Sequence, residues 1–595
     1  MIVRFSTAIR GHRELVVATV AVAVITLVLA SGSFFDRDDL FFAEYFQINP
    51  PTPEMLVRSW FGHLMPGYIA SVIVFLKLFG LSWPVALVLT ALIHTGAFVA
   101  LVRCLDEVVG AVRLNLLIGV AFSLSLGPIM VRLWWAATLN NMLALALGLA
   151  VLGCATRWVV RRRTRHLVAA LLLYALALTM SEKNLLFSVH IAAWCVLVVW
   201  RGRPVRSRLA DVLRAWPLWA GLGILSVIDV VAFLAGPYID ESGSSPSLLA
   251  SADFIVHNVF GALVPSLFGV DMVDQTTSLL DPRVVVTCLL VAAVIVWTIV
   301  RVRSTAGVWI FALVAATVNA AVLSRRADLV GVAAGRQLRY LLESSALVWL
   351  AIGVVVVAVL TASRAAPAAP GARRLRRPDA RRRRRLRAVI GASAVVVVGL
   401  CAWSWAAGVT RAITSSGGHA AREWVGELSE TLPRSAPAPL IDSPLPTQFA
   451  IPQLHPYDMV APLLPSLGWT DVRTTNVLDG AWVVGQDGRA GPATLASPDV
   501  QFRGQRCTDG STFVAMPEVR TAGRTFIVLD YSQSTADIVT FHYEGGWTTI
   551  DKPAGSGRVA VFLPNVIDGD LAVNPQGGTL CVDALTVADI EPAGD

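Results

Sequence analysis

Repeated apolar runs of about 20 residues constrain this sequence more than any other feature, because a helix needs about 20 apolar residues to cross a bilayer. Only 15% of the 595 residues are charged, whereas an ordinary soluble domain has about 25%. The sequence therefore predicts an α-helical polytopic membrane protein with about eleven spans. The runs lie near residues 14–34, 83–103, 111–131, 139–157, 166–181, 184–200, 215–236, 283–301, 306–323, 341–362 and 388–410.

Charge is distributed unevenly along the chain. From residue 411 onward there are 11 basic and 21 acidic residues, although the whole chain has a net charge of +8. The basic excess thus belongs to the apolar part, where it is typical of membrane topology and not of nucleic-acid binding. Arg4, Arg10 and Arg13 precede the first run. They predict a cytoplasmic N-terminus and an uncleaved first helix.

Arginine is concentrated in every second loop between the apolar runs. Eleven spans place the arginine-rich segments on the cytoplasmic side, and the acidic loops on the other side. One outer loop departs from this pattern, since it contains Arg325, Arg326, Arg336 and Arg339. Eleven spans that start from a cytoplasmic N-terminus predict a plasma-membrane protein whose C-terminal part is extracytoplasmic. The arginine-rich segments are residues 103–113, 157–165, 201–214, 301–303 and 373–387.

Three carboxylates follow the first run directly, in the stretch 34–42. Asp36, Asp38 and Asp39 stand between two phenylalanine pairs. Acidic residues kept near a bilayer usually face a cavity and serve a function. A polar cap that ends the helix is the alternative, but three aspartates within four residues favour a functional site.

Two further segments lie outside the spans. The run from Gly62-His63 to Gly80 has about 14 apolar residues, which is short for a span. We predict an interfacial helix on the outer face, because counting it as a span would place the later arginines outside. The segment 237–282 is predicted to be a long outer loop and a candidate lid.

Composition also divides the chain into parts. Short alternating apolar runs after residue 470 predict strands, and about 120 residues of them predict an all-β sandwich or jelly roll. Cys507 and Cys581 are the two cysteines of this tail, and they can pair in an oxidising compartment. Two unpaired thiols are the alternative. The predicted parts are a membrane domain (1–363), a polybasic linker (364–387), a last span (388–410), a helix with a proline-rich linker (411–469) and the β domain (470–595).

The order of these features resembles the GT-C glycosyltransferases. Within them it resembles the polyprenol-phosphate-sugar-dependent enzymes related to protein O-mannosyltransferases and aminoarabinose transferases. Asp38-Asp39 match the acidic pair of the first outer loop, and residues 62–80 match the interfacial helix. Ser181–Asn184 occupies an outer turn, and Gly335–Tyr340 stands where family members often have Arg-Tyr. The β domain is similar to the carbohydrate-binding appendages of actinobacterial members. The resemblance covers most of residues 1–360.

The resemblance implies roles for these residues. Transfer of a sugar to a hydroxyl needs a base, and Asp38 is the candidate. Asp39 or Asp36 would orient the acceptor or bind a divalent cation, the one cofactor that the family implies. Cationic groups would stabilise the departing lipid phosphate. The candidates for them are Lys183, Arg336 and Arg339.

Each of the other candidate residues has a structural alternative. Arg339 could contact a lipid headgroup, Lys183 could pair with Glu182, and His63 is more typical of a structural interfacial residue than of a catalyst. Trp134 and Trp135 could stack on a sugar or belong to an interfacial belt. Family members often have an acid in the outer loop after the third span. Here Asn140 and Asn141 stand in that region, which leaves metal dependence open. Tyr340 completes the substrate-binding candidates.

The sequence thus predicts a membrane glycosyltransferase that uses a polyprenyl-phosphate sugar on the extracytoplasmic face. The acceptor would be a cell-envelope glycan, lipid or protein. Two other classes remain open: a flippase or exporter of lipid-linked glycans, and a scaffold that displays a carbohydrate-binding domain. Neither of them needs a reactive carboxylate cluster.

Overall fold

The computed structural model contains two compact units, which are considered separately. The helical unit comprises Met1–Gly32, Thr52–Val74 and Trp83–Ser416. The β unit comprises Ser33–Pro51, Phe75–Ser82 and Gly417–Asp595. The structure describes residues 2–235, 247–271, 278–326, 335–365, 399–434, 438–450, 457–508, 514–520, 525–535, 538–543, 546–564, 568–576 and 578–593.

Long apolar helices build the helical unit. Among the described residues, nine helices are long and apolar enough to cross a membrane, or ten if one bent pair is a single span. The bent pair is Val112–Leu124 with Leu126–Arg132, at an angle of 57°. The nine are Arg13–Ala30, Trp83–Val109, Trp135–Arg161, Glu182–Val199, Trp216–Ala235, Leu248–Ser266, Pro282–Arg301, Thr305–Leu323 and Leu338–Ser363.

These helices confirm the predicted multi-pass helical fold, with differences in detail. Eight predicted runs are candidate spans, and the run 111–131 is the bent pair. The run 166–181 is the helix Thr164–Met180, which at 17 residues is at the lower limit for crossing. Of the run 388–410, residues 388–398 lie outside the described residues, and residues 399–410 are helical.

The ninth candidate span was not predicted. Leu248–Ser266 lies in the segment that the sequence analysis assigned to an outer loop, and it is helical throughout. Ser247 caps this helix by accepting a hydrogen bond from the Ala250 amide, at 3.1 Å. Asp253 pairs with His257 one turn later, at 3.0 Å. The two polar side chains of this segment are thus paired with each other within the helix.

Shorter elements complete the helical unit. A two-residue turn at Phe61 and Gly62, both with positive φ, joins the strands β1 (Ser59–Trp60) and β2 (His63–Leu64). The helix that was predicted to be interfacial and to begin at Gly62 begins instead at Pro66, and it ends at Phe79. The remaining helices of this unit are Glu54–Val57 and Val205–Arg214, with a further helical segment at residues 399–414.

Among the described residues, three turns of π-helix occur in the long helices: Thr138–Met142, Cys195–Val199 and Val259–Leu263. A π turn adds one residue to a helical turn, redirects the side chains beside it and is frequent at functional sites. The first of these turns holds a residue that contacts the polar site described below, and residues of the third line an apolar cavity.

In its described residues, the β unit has eleven strands and several short helices. The strands are β3 (Leu440–Ile441), β4 (Thr474–Thr475), β5 (Trp482–Val484), β6 (Ala490–Thr508), β7 (Val514–Arg520), β8 (Thr525–Ser534), β9 (Ile538–Tyr543), β10 (Gly546–Asp551), β11 (Gly555–Leu563), β12 (Asp568–Pro575) and β13 (Leu580–Pro592). The helices are Asp38–Ile48, Gly417–Thr431 and Val460–Leu463, and a 3₁₀ turn spans Leu464–Leu467.

Two sheets share the main core of the β unit. One has the order β10-β9-β12-β7, and the other has the order β11-β8-β13-β6-β5-β3-β4. Phe541 and Val573 from the first sheet lie in one buried cluster with Ile527 and Val582 from the second. The sheets therefore pack face to face, and the predicted C-terminal β-rich domain is present. A disulfide joins Cys507 to Cys581, which stand opposite each other on β6 and β13.

The acidic stretch belongs to the β unit, although the sequence analysis assigned it to the membrane domain. The Arg37 amide donates to the Phe449 carbonyl at 2.8 Å. Tyr45 and Tyr457 have ring centroids 5.0 Å apart. A Cβ atom on Gly417 would lie 2.5 Å from the Asp36 carboxylate, so a glycine is required at that position. Residues far apart in sequence thus hold the aspartates in place.

Candidate functional site

A polar cavity of about 300 Å³ lies within the helical unit. It gathers most of the charged residues that the sequence analysis singled out in this unit. Apolar side chains, among them Phe233 and Phe254, close the rest of its wall. The polar residues that line the cavity are His63, Glu182, Lys183, Asp229, Arg325 and Tyr340.

His63 and Glu182 form a pair in this cavity. His63 stands on β2, immediately after the tight turn, and its Nδ1 contacts Oε1 of Glu182. Glu182 begins the 3₁₀ turn Glu182–Asn184 between two long helices. The pairing places a carboxylate beside an imidazole, an arrangement that can bind hydroxyl groups or move a proton.

Lys183 is held by a different partner. Its Nζ donates to Oδ1 of Asn141 at 3.1 Å, and it lies 6.0 Å from the centre of the Tyr340 ring. Asn141 stands in the π turn Thr138–Met142. The structural alternative for Lys183, a salt bridge to Glu182, is therefore not what the structure shows. The hydrogen-bond partner of the lysine is thus a neutral amide, while the carboxylates of Glu182 and Glu343 act on it only electrostatically.

Arg339 lies between two aromatic rings. Its guanidinium carbon is 5.1 Å from the centre of the Trp134 ring and 4.8 Å from that of Tyr340. Nη2 of Arg339 donates to the Tyr340 hydroxyl at 3.0 Å. Trp134 and Trp135 are both buried, so little of either ring is accessible to a sugar. The Trp134 ring instead orients a cation.

Arg336 is buried, with 3% of its surface exposed. Its neighbour Gly335 accepts a hydrogen bond from the Asn258 side chain at 2.7 Å. A Cβ atom on Gly261 would lie 3.6 Å from Nε of Arg336. The π turn Val259–Leu263 therefore packs against this guanidinium. Arg336 is not among the residues that line the polar cavity.

Three polar residues of this site were not predicted from the sequence: Asp229, Arg325 and Asn141. Asp229 lines the cavity from the middle of the helix Trp216–Ala235. An isolated acid within a span is a recognised signal of function, and this signal could have identified Asp229. Asn141 had been considered only as a replacement for a metal ligand, since contact with a lysine 42 positions later is not evident from sequence.

The acidic stretch forms a second candidate site, in the β unit. Asp36 and Asp39 are 5% and 6% exposed. Oδ2 of Asp39 accepts a hydrogen bond from the Asp36 amide at 3.2 Å, which fixes the turn before the helix Asp38–Ile48. Asp38 is half-buried and stands in the first turn of that helix, where the helix dipole favours an anion. Asp38 is thus the most accessible carboxylate of the three.

No group of three histidine, cysteine, aspartate or glutamate residues is arranged to hold a metal ion in the part of the chain that the structure describes. The three aspartates of the acidic stretch do not form such a group. The predicted divalent cation therefore lacks a three-ligand site among these residues.

Comparisons with known proteins give little further information. No protein-family model matches the sequence, and no curated protein matches it. The solved structures that match include the arabinosyltransferase EmbB from Mycobacterium smegmatis, determined by electron cryomicroscopy. The alignment covers 96% of this chain and 64% of EmbB, at 12% identity and a TM-score of 0.31. At this TM-score the likeness does not establish a shared family.

Proposed function

We propose that this protein is an integral membrane glycosyltransferase that moves a sugar from a polyprenyl-phosphate donor to a cell-envelope acceptor. The observation that carries the proposal is a polar cavity lined by Lys183 and Arg325, with a larger apolar cavity along the same helices. This combination suits a ligand with an anionic head and a long hydrocarbon tail.

The apolar cavity has a volume of about 510 Å³. Its wall is almost entirely hydrocarbon and aromatic, with Trp297, Trp309 and Trp349 among the lining side chains. A cavity of this composition within membrane-spanning helices binds an acyl or prenyl chain better than it binds a polar solute. The isoprenoid tail of the donor is the proposed occupant.

Three segments line both cavities. Phe254, Val322 and Tyr340 face the polar cavity. Val259, Ala316 and Val348 face the apolar cavity from the same three segments. Each pair is separated by five to eight positions, or about 8–12 Å along a helix. One ligand can therefore reach both cavities.

Four cations are available for the phosphate of this donor. Lys183 and Arg325 line the polar cavity, and Arg339 contacts Tyr340 of its wall. Arg336 packs against a π turn of which Val259, Phe260 and Leu263 line the apolar cavity. Guanidinium groups bind phosphate oxygens through paired hydrogen bonds, and fixed positive charge stabilises a phosphate leaving group. These groups would bind the donor head and assist its departure.

In the proposed reaction, a hydroxyl oxygen of the acceptor attacks the anomeric carbon. The bond from that carbon to the phosphate oxygen breaks, and polyprenyl phosphate leaves with the bonding electrons. A carboxylate takes the hydroxyl proton. Asp38 is the proposed base because the family resemblance implies that role for it, and it is the most accessible acid of its stretch. Asp39 and Asp36 would hold the turn.

The extracytoplasmic location of the reaction is also part of the proposal. It is supported by the alternation of arginine-rich loops along the sequence. If the helix Leu248–Ser266 crossed the membrane once, all later loops would lie on the opposite side of the membrane from the one proposed. The arginine pattern instead supports a path in which the chain enters and leaves this helix on the same side.

The test is an analysis of lipid-linked sugars after the gene is deleted. If the proposal holds, a polyprenyl-phosphate sugar accumulates and one envelope glycan loses a sugar. The wild-type gene restores both, and Asp38→Asn restores neither although the protein reaches the membrane at normal levels. Restoration by Asp38→Asn would instead support a flippase, an exporter or a scaffold.

A further inference from the structure

Arg132 is a buried cation in the core of the helical unit. Only 1% of its surface is exposed, and it is the last residue of the helix Leu126–Arg132, the second half of the bent pair. An arginine within a membrane-spanning segment is rare, and it pairs with an acidic side chain or with backbone carbonyls. The partners of Arg132 therefore decide whether its charge has only a structural role.

One hydrogen bond holds Arg132 across the bend. Its Nη2 donates to the Ser123 carbonyl at 2.8 Å. Ser123 lies in the last turn of the helix Val112–Leu124, and the carbonyl groups of a last turn have no partner within their own helix. Arg132 thus satisfies a carbonyl group that the bend leaves open, which is its structural role.

This bond uses only a part of the donor capacity of the guanidinium. Nε and Nη1 of Arg132 are buried and have no hydrogen-bond partner. In the described ranges of the chain, no carboxylate forms a salt bridge with Arg132. A buried charge without a partner is unfavourable. The bond to Ser123 satisfies a dipole but does not neutralise the positive charge.

Two further buried side chains near Arg132 have open hydrogen-bonding atoms. The charge of Arg132 acts on His94 electrostatically, so these two side chains are near each other. His94 is 3% exposed and Thr90 is 0% exposed, and neither Nε2 of His94 nor Oγ1 of Thr90 has a hydrogen-bond partner. Both belong to the helix Trp83–Val109. Because they are four positions apart, they lie on the same face of that helix.

The charge of the guanidinium decides which kind of ligand fits these open atoms. A water molecule can satisfy buried polar atoms, but it leaves the positive charge without compensation. A monovalent anion accepts hydrogen bonds from N–H and O–H groups and also neutralises one guanidinium. Val131 and Leu133, on either side of Arg132, are 0% and 1% exposed. These closed surroundings favour a compact ion over a large one.

We propose that Arg132, His94 and Thr90 bind a chloride ion in the core of the helical unit. The ion would neutralise the guanidinium and join the bent pair to the helix Trp83–Val109. None of the three side chains is among those that line the polar or the apolar cavity. Chloride binding therefore neither requires the proposed transfer reaction nor follows from it, and failure of one leaves the other intact.

The experiment measures thermal unfolding of the purified full-length protein in detergent. Sodium chloride replaces sodium gluconate at constant ionic strength, and parallel series use sodium bromide and sodium sulfate. The variants are Arg132→Met, which removes the charge, and Thr90→Val, which removes one hydroxyl group. The control is Arg201→Met. Arg201 likewise donates to one backbone carbonyl, that of Val198 at 2.9 Å.

We expect chloride to raise the unfolding midpoint of the wild type by about 2 °C or more between about 1 mM and about 300 mM, because a ligand of the folded state stabilises it. Bromide should act in the same way, whereas sulfate, which is larger and doubly charged, should not. The effect of chloride should persist in Arg201→Met and disappear in Arg132→Met. In gluconate, Arg132→Met should be at least as stable as the wild type, since it replaces an unpaired buried charge by an apolar side chain.

Thr90→Val provides a second measurement if Arg132→Met does not fold. It should raise the chloride concentration that gives half of the stabilisation by about threefold or more. A wild-type midpoint that does not respond to chloride would overturn the proposal, as would an equal response in Arg132→Met, or in Thr90→Val if Arg132→Met does not fold. Stabilisation of the wild type by polyprenyl phosphate but not by chloride would also overturn it, by assigning Arg132 to the donor.

Discussion

The ammonium group of Lys183 is 3.1 Å from the side-chain oxygen of Asn141, while the neighbouring Glu182 pairs with His63. Two charged residues adjacent in sequence therefore have separate partners. If Lys183 were paired with Glu182, its charge would be neutralised by a carboxylate. Bound to an amide, it keeps the charge that a phosphate group would meet in this cavity.

Replacing Lys183 should impair transfer more than it impairs folding. We expect Lys183→Met to reduce the transfer rate about 100-fold or more, because the positive charge that assists the leaving phosphate is lost. The measurement is the release of labelled sugar from a polyprenyl-phosphate donor in isolated membranes. Lys77→Met removes an exposed lysine from another helix and serves as the control. Equal activity of the two variants would exclude a role for Lys183 in the reaction.

Replacing Asp38 should affect the chemical step. Asp38→Asn keeps the size of the side chain but removes the base, so kcat should fall about 10²- to 10⁴-fold with KM for the donor little changed. Asp471→Asn changes an exposed aspartate of the same unit and should leave kcat unchanged. A change confined to KM would instead indicate that Asp38 binds substrate and does not accept the proton.

Glu44 should make the stability of the β unit depend on pH. Burial raises its pKa well above the ordinary value, the Met459 amide opposes this, and Asp442 and Asp458 add to it. A carboxyl group that stays protonated in the folded protein but ionises in the unfolded chain stabilises the fold most at low pH. That contribution decreases as the pH rises from the unfolded pKa to the raised folded pKa.

Glu44→Gln should therefore flatten the change in the thermal unfolding midpoint between pH 5 and pH 8, and should raise the midpoint at the upper end. The measurement is thermal unfolding of the purified protein in detergent at a series of pH values. Glu430→Gln, at an exposed position of the same unit, is the control. If Glu44→Gln and the wild type have the same dependence on pH, Glu44 is ionised in both the folded and the unfolded protein.

The disulfide between Cys507 and Cys581 should stabilise the β unit. It closes a loop with a sequence separation of 74 residues, and removing a bond of this kind typically costs about 2–5 kcal/mol. Replacing both cysteines by alanine should lower the free energy of unfolding of the β unit by that amount, measured as a lower denaturant midpoint, and reductant should have the same effect on the wild type. Cys401→Ala, in the helical unit, should not change this midpoint. Insensitivity of the wild type to reductant would show that the bond is absent.

The path of the helix Leu248–Ser266 can be tested by labelling. In a background without free cysteines, Leu248→Cys and Leu280→Cys place thiols at positions that are 90% and 82% exposed. Both should react with an impermeant maleimide added to intact cells, because the arginine pattern requires the chain to leave this helix on the side where it entered. Modification of only one would show that the helix crosses once, and it would reverse the proposed location of the later loops.

The long apolar runs made most of the helical unit predictable, since length and composition suffice to recognise a span. The helix Leu248–Ser266 was missed because Asp253 and His257 lower its apparent apolarity. Their mutual pairing becomes visible only when the segment is helical. Of the short apolar runs after residue 470, those at residues 481–484, 525–529, 538–541 and 559–563 all overlap strands, because alternation and turn residues signal strands locally.

The candidate site was predictable from the sequence in several of its residues but not in the contacts between them. Lys183, Glu182, His63 and Tyr340 all line one cavity, as their shared outer location had suggested. Their partners could not be predicted, since the contact of Lys183 with Asn141 depends on a π turn. The packing of the acidic stretch against residues such as Tyr457 could not be predicted from the sequence either, because the two segments are about 400 positions apart.

The most direct test of the proposed function is a reconstitution with purified components. The protein is placed in proteoliposomes that contain a polyprenyl-phosphate sugar labelled in the sugar, together with an envelope glycan acceptor. If the protein is a glycosyltransferase, the wild type transfers the label to the acceptor and leaves polyprenyl phosphate behind, whereas Lys183→Met and Asp38→Asn leave the donor intact. Movement of intact donor between the two leaflets without loss of its sugar would contradict the proposed function and identify a flippase.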